Sequence, residues 1–370
     1  MKELRGGAIT DPDRVINRVP FIPGLPTSPV ACDYTPDSTS SPITIPLSNP
    51  RPGEMSQVAR FAWTTLCWNV AVVLWGAYVR ATGSGAGCGN RWPLCDGVGA
   101  SANGQTIVEF THRATSAISL LMVTGLVVWC WRTTKKGDRA RYAAVLTAAF
   151  LVNEALLGAA LVLLKHVGND QSTGRILFLC LHFGNTLLLL ATLSLTAAWL
   201  SKGCRRFTLI GKWREVGSIG LGLLATMVTG ISGAVAALAD TLSPATSLPS
   251  SLAQDFSSGT PVLLRVRPLH PAAATIAAIY VLWVILRSST ARNRFSRSAI
   301  ALIILLFVQV GVGITNVLFL APIWLQVVHL FVADALWMLL VLASAELVLE
   351  RHSICPVCGV ATTVKEGRKK

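Results

Sequence analysis

Apolar residues run almost unbroken eight times along this chain, near 58–79, 107–131, 142–164, 176–200, 215–239, 266–286, 298–320 and 324–349. A helix rising 1.5 Å per residue needs about 20 such residues to cross the hydrocarbon of a bilayer. The pattern therefore predicts an all-α polytopic membrane protein of eight transmembrane helices. The polar intervals between the runs sort by charge. Of 32 Lys and Arg residues, 25 fall in the N-terminal segment, the C-terminal tail and the loops after the second, fourth and sixth runs. Six lie in the opposite loops or at their edges, and one, Arg113, lies well inside a run. Basic residues favour the cytoplasmic side, so both termini are expected in the cytoplasm. Composition agrees: the chain is 52% hydrophobic and 14% charged, with a mean hydropathy of +0.56. The formal charge of +14 thus reports topology and gives no reason to expect a nucleic-acid partner.

Residues 1–57 hold ten of the 18 prolines with many Ser and Thr, and read as a disordered cytoplasmic extension. It contains no apolar signal-peptide core. The runs then divide into two pseudo-repeated four-helix bundles, 58–200 and 215–349, joined by a cytoplasmic linker at 201–214 and followed by a basic tail at 350–370. The repeat is visible in WGAYV against SGAVA, and in EALLGAALVLL against QVGVGITNVLF. In the second pair Glu154 and Gln309 each stand four residues before a glycine, Gly158 and Gly313.

Four of the six histidines occupy matching places, His112 with His270 and His182 with His329, in the even-numbered spans. Each lies one to two turns in from the outer end, on the order of 10 Å deep. Ionisable residues at that depth are costly and point to a site. Paired imidazoles facing across a bundle suit heme iron better than a catalytic zinc, which usually takes three grouped ligands. Each half would then hold one heme. Arg80, Arg113, Arg265 and Arg267 lie near the level of the propionates. They are candidates to pair with them, and interfacial snorkelling is the alternative for all but Arg113.

The halves differ around their first histidine: VEFTHR in one, RPLHP in the other. Glu109 shares a helix face with His112. It is either a carboxylate beside a heme edge, able to move protons, or an interfacial acid paired with Arg113 or Arg80. Glu154 and Asp334 are two further acids within spans, expected to be protonated and hydrogen-bonded to a neighbouring helix, with a proton path as the alternative. Cys88 and Cys95 are the two cysteines on the outer, oxidising side, where a disulfide is the natural reading, structural or redox-active. The glycines of TGSGAGCGN lack the ending of a phosphate loop and read as a tight cap over helix ends. Cys355 and Cys358 in the tail have the spacing of half a zinc site, with His352 as a possible third ligand, or are incidental.

GAYVRATGSGAGCGNRWPLCDG, EFTHR, the LH at 181–182, the LHP at 269–271 and VVHLFVADALW at 328–338 resemble the heme A synthase family, from about residue 58 to 349. The resemblance implies oxidation of one methyl group of heme O, the substrate, to the formyl of heme A for cytochrome oxidase. It implies that His112 and His182 hold the substrate heme, that Glu109 is the essential glutamate, and that His270 and His329 hold a heme b cofactor that feeds electrons. Cys88 and Cys95 match the family's outer-loop pair. A second pair found in many bacterial members has no counterpart between 240 and 267. The implied company is a heme O synthase, an electron donor, cytochrome oxidase assembly factors, membrane lipid and, optionally, further copies of the chain. The implied place is the bacterial cytoplasmic (inner) membrane, with the heme sites toward the outer leaflet. Two other classes fit the histidines alone: a diheme b-type electron-transfer protein and a heme chaperone or transporter. Four histidines at one level disfavour a transmembrane wire, and a chaperone leaves Glu109 without a task.

Overall fold

The computed structural model describes residues 56–95, 103–202, 205–209, 213–257, 259–291 and 296–353. The N-terminal extension, Cys32, Cys204, Cys355, Cys358 and the side chain of His352 lie outside that set. The helices are α1 (Gln57–Ala81), α2 (Gly104–Thr133), α3 (Arg139–Leu163), α4 (Thr173–Ser201), α5 (Trp213–Leu242), α6 (Leu248–Phe256), α7 (Val262–Val266), α8 (Leu269–Ala291), α9 (Arg297–Leu318) and α10 (Ile323–Val348). Eight spans among them are long and apolar enough to cross a membrane, α7 and α8 together forming the sixth. The chain is a multi-pass membrane protein, as its hydropathy predicts.

Helix starts follow the local chemistry. Ser56, Asn103, Asp138, Ser172 and Ser296 each cap the helix that follows, a side-chain oxygen accepting a first-turn amide. Pro271 sits in the first turn of α8, where a missing N–H costs nothing. Large apolar side chains such as Leu121, Ile276, Ile279 and Phe307 stay exposed, as lipid-facing positions should. Their helices satisfy the backbone internally, the condition for standing in hydrocarbon.

Within the bilayer, packing rests on small residues that allow close approach. Ala59, Ala62, Ala140, Ala144, Ala191 and Ala197 are buried in one apolar cluster shared by α1 to α4. Trp337 and Val341 of α10 enter the same cluster, and the Trp337 indole N–H donates to the Leu187 carbonyl at 2.7 Å. α4 packs on α5 and α10, and α1 on α10 and α5, so these four helices form the seam between the halves. α8, α9 and α10 share a second apolar cluster.

Arg80 locks the histidine-bearing end of this seam. Its guanidinium donates to the Ala237 carbonyl at 2.6 Å, the Thr241 hydroxyl at 2.9 Å and Gln326 Oε1 at 2.9 Å, tying α1 to α5 and α10.

Two features have no counterpart in the hydropathy reading. α6 is a short helix in the connection between α5 and α7, opened by a Ser247–Ser250 capping box with Pro249 in its first turn. At the other end of the spans, β1 (Arg205–Leu209) and β2 (Leu349–Ser353) pair antiparallel, Arg205 opposite Ser353. They follow directly on α4 and α10.

Arg80→Leu is expected to lower the apparent thermal unfolding midpoint in detergent. It removes three charge-assisted hydrogen bonds across the seam and costs on the order of 2–4 kcal/mol. Circular dichroism melts against Arg265→Leu, at an exposed position, provide the check; equal melts would mean that Arg80 does not hold the seam.

Candidate functional site

The four histidines sit against glycines of the preceding span. A methyl group built on Gly76 of α1 would stand 2.9 Å from His112 Cε1 of α2. The same construction puts Gly158 of α3 at 3.8 Å from His182 Cε1 of α4, Gly233 of α5 at 2.8 Å from His270 Cε1 of α8, and Gly313 of α9 at 3.0 Å from His329 Cε1 of α10. At three of these contacts a side chain would displace the ring. The His270 and His329 rings lie 6.3 Å apart between centroids and nearly perpendicular.

Their hydrogen bonding is incomplete. Nδ1 of His112, His182 and His329 is buried without a hydrogen-bond partner among the described residues. His182 Nδ1 lies 3.4 Å from Glu154 Oε1 but is not aligned for a hydrogen bond. His270 Nδ1 lies 3.2 Å from the Thr229 carbonyl and 3.3 Å from the Ser232 hydroxyl. His329 Nε2 is 3.4 Å from Gln309 Nε2. His166, outside this set, is occupied by Asp170 at 2.9 Å. Among the described residues no group of three or more His, Cys, Asp or Glu gathers as a metal site.

Glu109 is buried at 3% exposure, one turn before His112. Its Oε2 accepts the Cys88 amide at 2.7 Å, and its Oε1 takes Arg113 Nη2 at 2.5 Å and Nε at 3.2 Å. Arg113 also donates through Nη1 to the carbonyls of Arg91 at 2.7 Å and Leu94 at 3.0 Å. Those carbonyls belong to the loop closed by a Cys88–Cys95 disulfide. Gly87 packs so close to the start of α2 that an added methyl would meet the Gln105 carbonyl at 2.5 Å. The Thr106 hydroxyl donates to the Gly87 carbonyl at 2.7 Å. The glycine-rich loop is thus a tight cap over a helix end, as its sequence suggests. Of the two partners expected for Glu109, the structure supplies Arg113; the backbone amide of Cys88 has no signature in the sequence.

The remaining arginines separate. Arg80 is spent on the seam. Arg265 is exposed. Arg267, three residues before His270 as Glu109 is before His112, is buried at 8% exposure. It binds Asp255 of α6 at 2.7 Å, Asp240 of α5 at 2.9 Å, and the Ser251 carbonyl and hydroxyl at 2.8 and 2.7 Å. Arg267 therefore pins α6 over the second half, and its donors are taken. Asp240 and Asp255 went unmarked in the sequence because nothing local pairs them with an arginine 27 and 12 residues away.

Of the two span acids, Glu154 is hydrogen-bonded to the neighbouring helix, accepting from Asn185 Nδ2 at 2.5 Å and paired with the Thr186 hydroxyl at 2.5 Å. Asp334 is fully buried and neither oxygen has a partner among the described residues. The hydrogen bond expected for it is not found.

These features define a class: a polytopic membrane protein with paired imidazoles in neighbouring spans, capped at one end. A family model described as cytochrome oxidase assembly protein (COX15-CtaA) matches residues 59–341. The chain belongs to this family, that of the heme A synthases. The heme A synthase of Bacillus licheniformis is 34% identical over 168 residues, covering 44% of this chain and 53% of that protein. The heme A synthase of Geobacillus kaustophilus is 37% identical over 137 residues, covering 36% and 41%. A Thermus thermophilus protein named protoheme IX farnesyltransferase is 41% identical over 307 residues, covering 80% of this chain and 49% of its own length. The chain spans about half the length of the curated relatives it matches.

Arg113→Met removes the donors to the loop carbonyls while leaving the disulfide in place. Amide hydrogen exchange across residues 88–95 is expected to quicken by about tenfold or more, from the loss of the charge-assisted hydrogen bonds to the Arg91 and Leu94 carbonyls. Unchanged exchange would show that the disulfide alone holds the loop.

Proposed function

We propose that this chain is a heme A synthase, oxidising a methyl group of heme O to a formyl. In this reading residues 58–200 hold the substrate through His112 and His182, and residues 215–349 hold a heme b through His270 and His329. The observation that carries it is Glu109, a buried carboxylate one turn from His112 and gripped by Arg113 and the Cys88 amide, where the other half has Arg267.

The residues fit the iron. Two metal–imidazole bonds of about 2.0 Å, with the ring radii added, separate two imidazole centroids by about 6 Å, against 6.3 Å for His270 and His329. Glycines opposite the rings leave no side chain to compete for the space. Bound heme b supplies an electron-transfer centre beside the substrate.

The chain's own residues do the rest. Glu109 would take up or release protons at its carboxylate during the oxidation, whose electrons and formyl oxygen are accounted for by an external oxidant such as dioxygen. Arg113 keeps that carboxylate aimed and fixes the loop above it. The disulfide-closed loop excludes water from the first half, and α6, pinned by Arg267, covers the second. Arg80 is a strut between halves in this reading, and Arg265 remains the exposed candidate for a propionate.

Both termini are assigned to the cytoplasm of a bacterial inner membrane, and the sites to the outer leaflet. The distribution of Lys and Arg supports this, as does a disulfide at the histidine end of the spans. A prenyltransferase supplying heme O is the proposed partner. The Thermus relative supports it, since a protein named as a farnesyltransferase aligns with this chain over half its length.

Hemes extracted from membranes of cells carrying this protein and a heme O synthase should include heme A by chromatography with mass detection. Glu109→Gln, which can still accept the Cys88 amide, should keep its heme and lose product about 10²–10⁴-fold. Heme A at the parent level in that variant, or unchanged heme O with both halves loaded in the parent, would defeat the proposal. Gly76→Val and Gly233→Val should each cut the heme bound per chain by about half, read as pyridine hemochrome, by driving one histidine from its place.

A further inference from the structure

We propose that Glu154 is the carboxylate partner of His182, accepting its Nδ1–H and so raising the electron density that this imidazole delivers to the first-half iron. This rests on the reading that His182 ligates heme. With iron on Nε2, Nδ1 must carry its hydrogen. In the structure Nδ1 is buried, without a hydrogen-bond partner, and 3.4 Å from Glu154 Oε1. A turn of the ring or a small advance of the carboxylate closes that gap.

The carboxylate is held for the task. Asn185 Nδ2 donates to Oε2 at 2.5 Å and to the Phe150 carbonyl at 2.8 Å, while Asn153 Nδ2 donates to Asn185 Oδ1 at 2.8 Å. The Thr186 hydroxyl engages Oε1 from the turn after His182. Asn185 therefore cannot swing away without breaking bonds to α3 on both of its amide atoms. Glu154 is a positioning residue: it acts on iron through His182.

The other half lacks this device. Gln309 takes the place of Glu154, each four residues before the glycine that faces the even-span histidine. Its amide lies 3.4 Å from His329 Nε2. His270 Nδ1 meets a carbonyl and a hydroxyl, both neutral. Of the four rings, His182 alone has a carboxylate within ion-pair distance among the described residues. A carboxylate on the far nitrogen makes a ligating histidine a stronger donor and favours oxidised iron. The two hemes are thereby set at different potentials, the lower one in the half that carries Glu109.

The test is a spectroelectrochemical titration of purified protein loaded in both halves with heme B. Glu154→Gln should raise the midpoint of the first-half heme and leave the second unmoved. The expected size is at least a tenfold higher reduced-to-oxidised ratio at fixed potential, about 59 mV for one electron. Glu154→Asp should recover most of the parent value. An unmoved first-half midpoint in Glu154→Gln, or an equal rise in both hemes, would overturn the proposal. If Glu154→Gln does not load its first half, Asn185→Leu, which releases the carboxylate from its hold, decides, and an unmoved first-half midpoint there overturns the proposal. Midpoints are read without turnover. A protein that makes no heme A but shows these shifts would sink the synthase reading and leave this one standing.

Discussion

Everything at the centre of this protein depends on imidazole rings being pressed against glycine in the interior of a membrane. A histidine there is expensive, and a ring wedged between two helices needs a facing position with no side chain. The chain meets that condition four times, each odd span presenting a glycine to the histidine of the next. Spans one and two, three and four, and their repeats are thereby fixed in register. The seam helices α1, α4, α5 and α10 then carry one member of each pair. Rotation of any one of them would move a glycine or a histidine out of its contact.

The histidine-bearing ends of the two halves are closed by different chemistry at the same place. Three residues before the first histidine of each half stands a charged side chain that grips the cover above it. In the first half it is Glu109, binding an amide of a loop already closed by a disulfide. In the second it is Arg267, binding two acids and a serine of α5 and α6. The second half, with no cysteine between 240 and 267, is closed by ion pairs instead. A covalent ring of eight residues stabilises its loop by about 2–3 kcal/mol through the unfolded chain. An ionic cover does so only while each buried charge keeps its partner. The first cover is rigid and sensitive to reductant; the second is indifferent to reductant.

How much of this the sequence discloses follows from the range of each interaction. The spans were legible because hydropathy is a sum over twenty residues and tolerates local error. Their ends moved by a few residues where caps such as Asp138 and Ser172 set the start. The histidines were legible because a repeat puts them in register. α6 was missed for want of apolar length, although its capping box was there to be read. For Arg267 the sequence offers only a propionate or interfacial snorkelling, because its own partners, Asp240 and Asp255, are distant in sequence. The grip of Glu109 on a backbone amide leaves no trace in residue identity at all. Asp334 ran the other way: burial was foreseen, and the hydrogen bond that should accompany it is not among the described contacts.

A duplicated fold can divide labour only at positions that its packing leaves free. Here the glycines and histidines are held by mutual contact, so they stay alike in both halves. The residue three before the first histidine and the residue four before the second-pair glycine are not so constrained. Glu109 stands against Arg267 and Glu154 against Gln309. Both differences place a carboxylate in the first half and none in the second. One stands one turn before His112 and the other beside His182, so under the proposed function they would address the proton and the iron separately. In that proposal a half that oxidises needs both and a half that passes electrons needs neither.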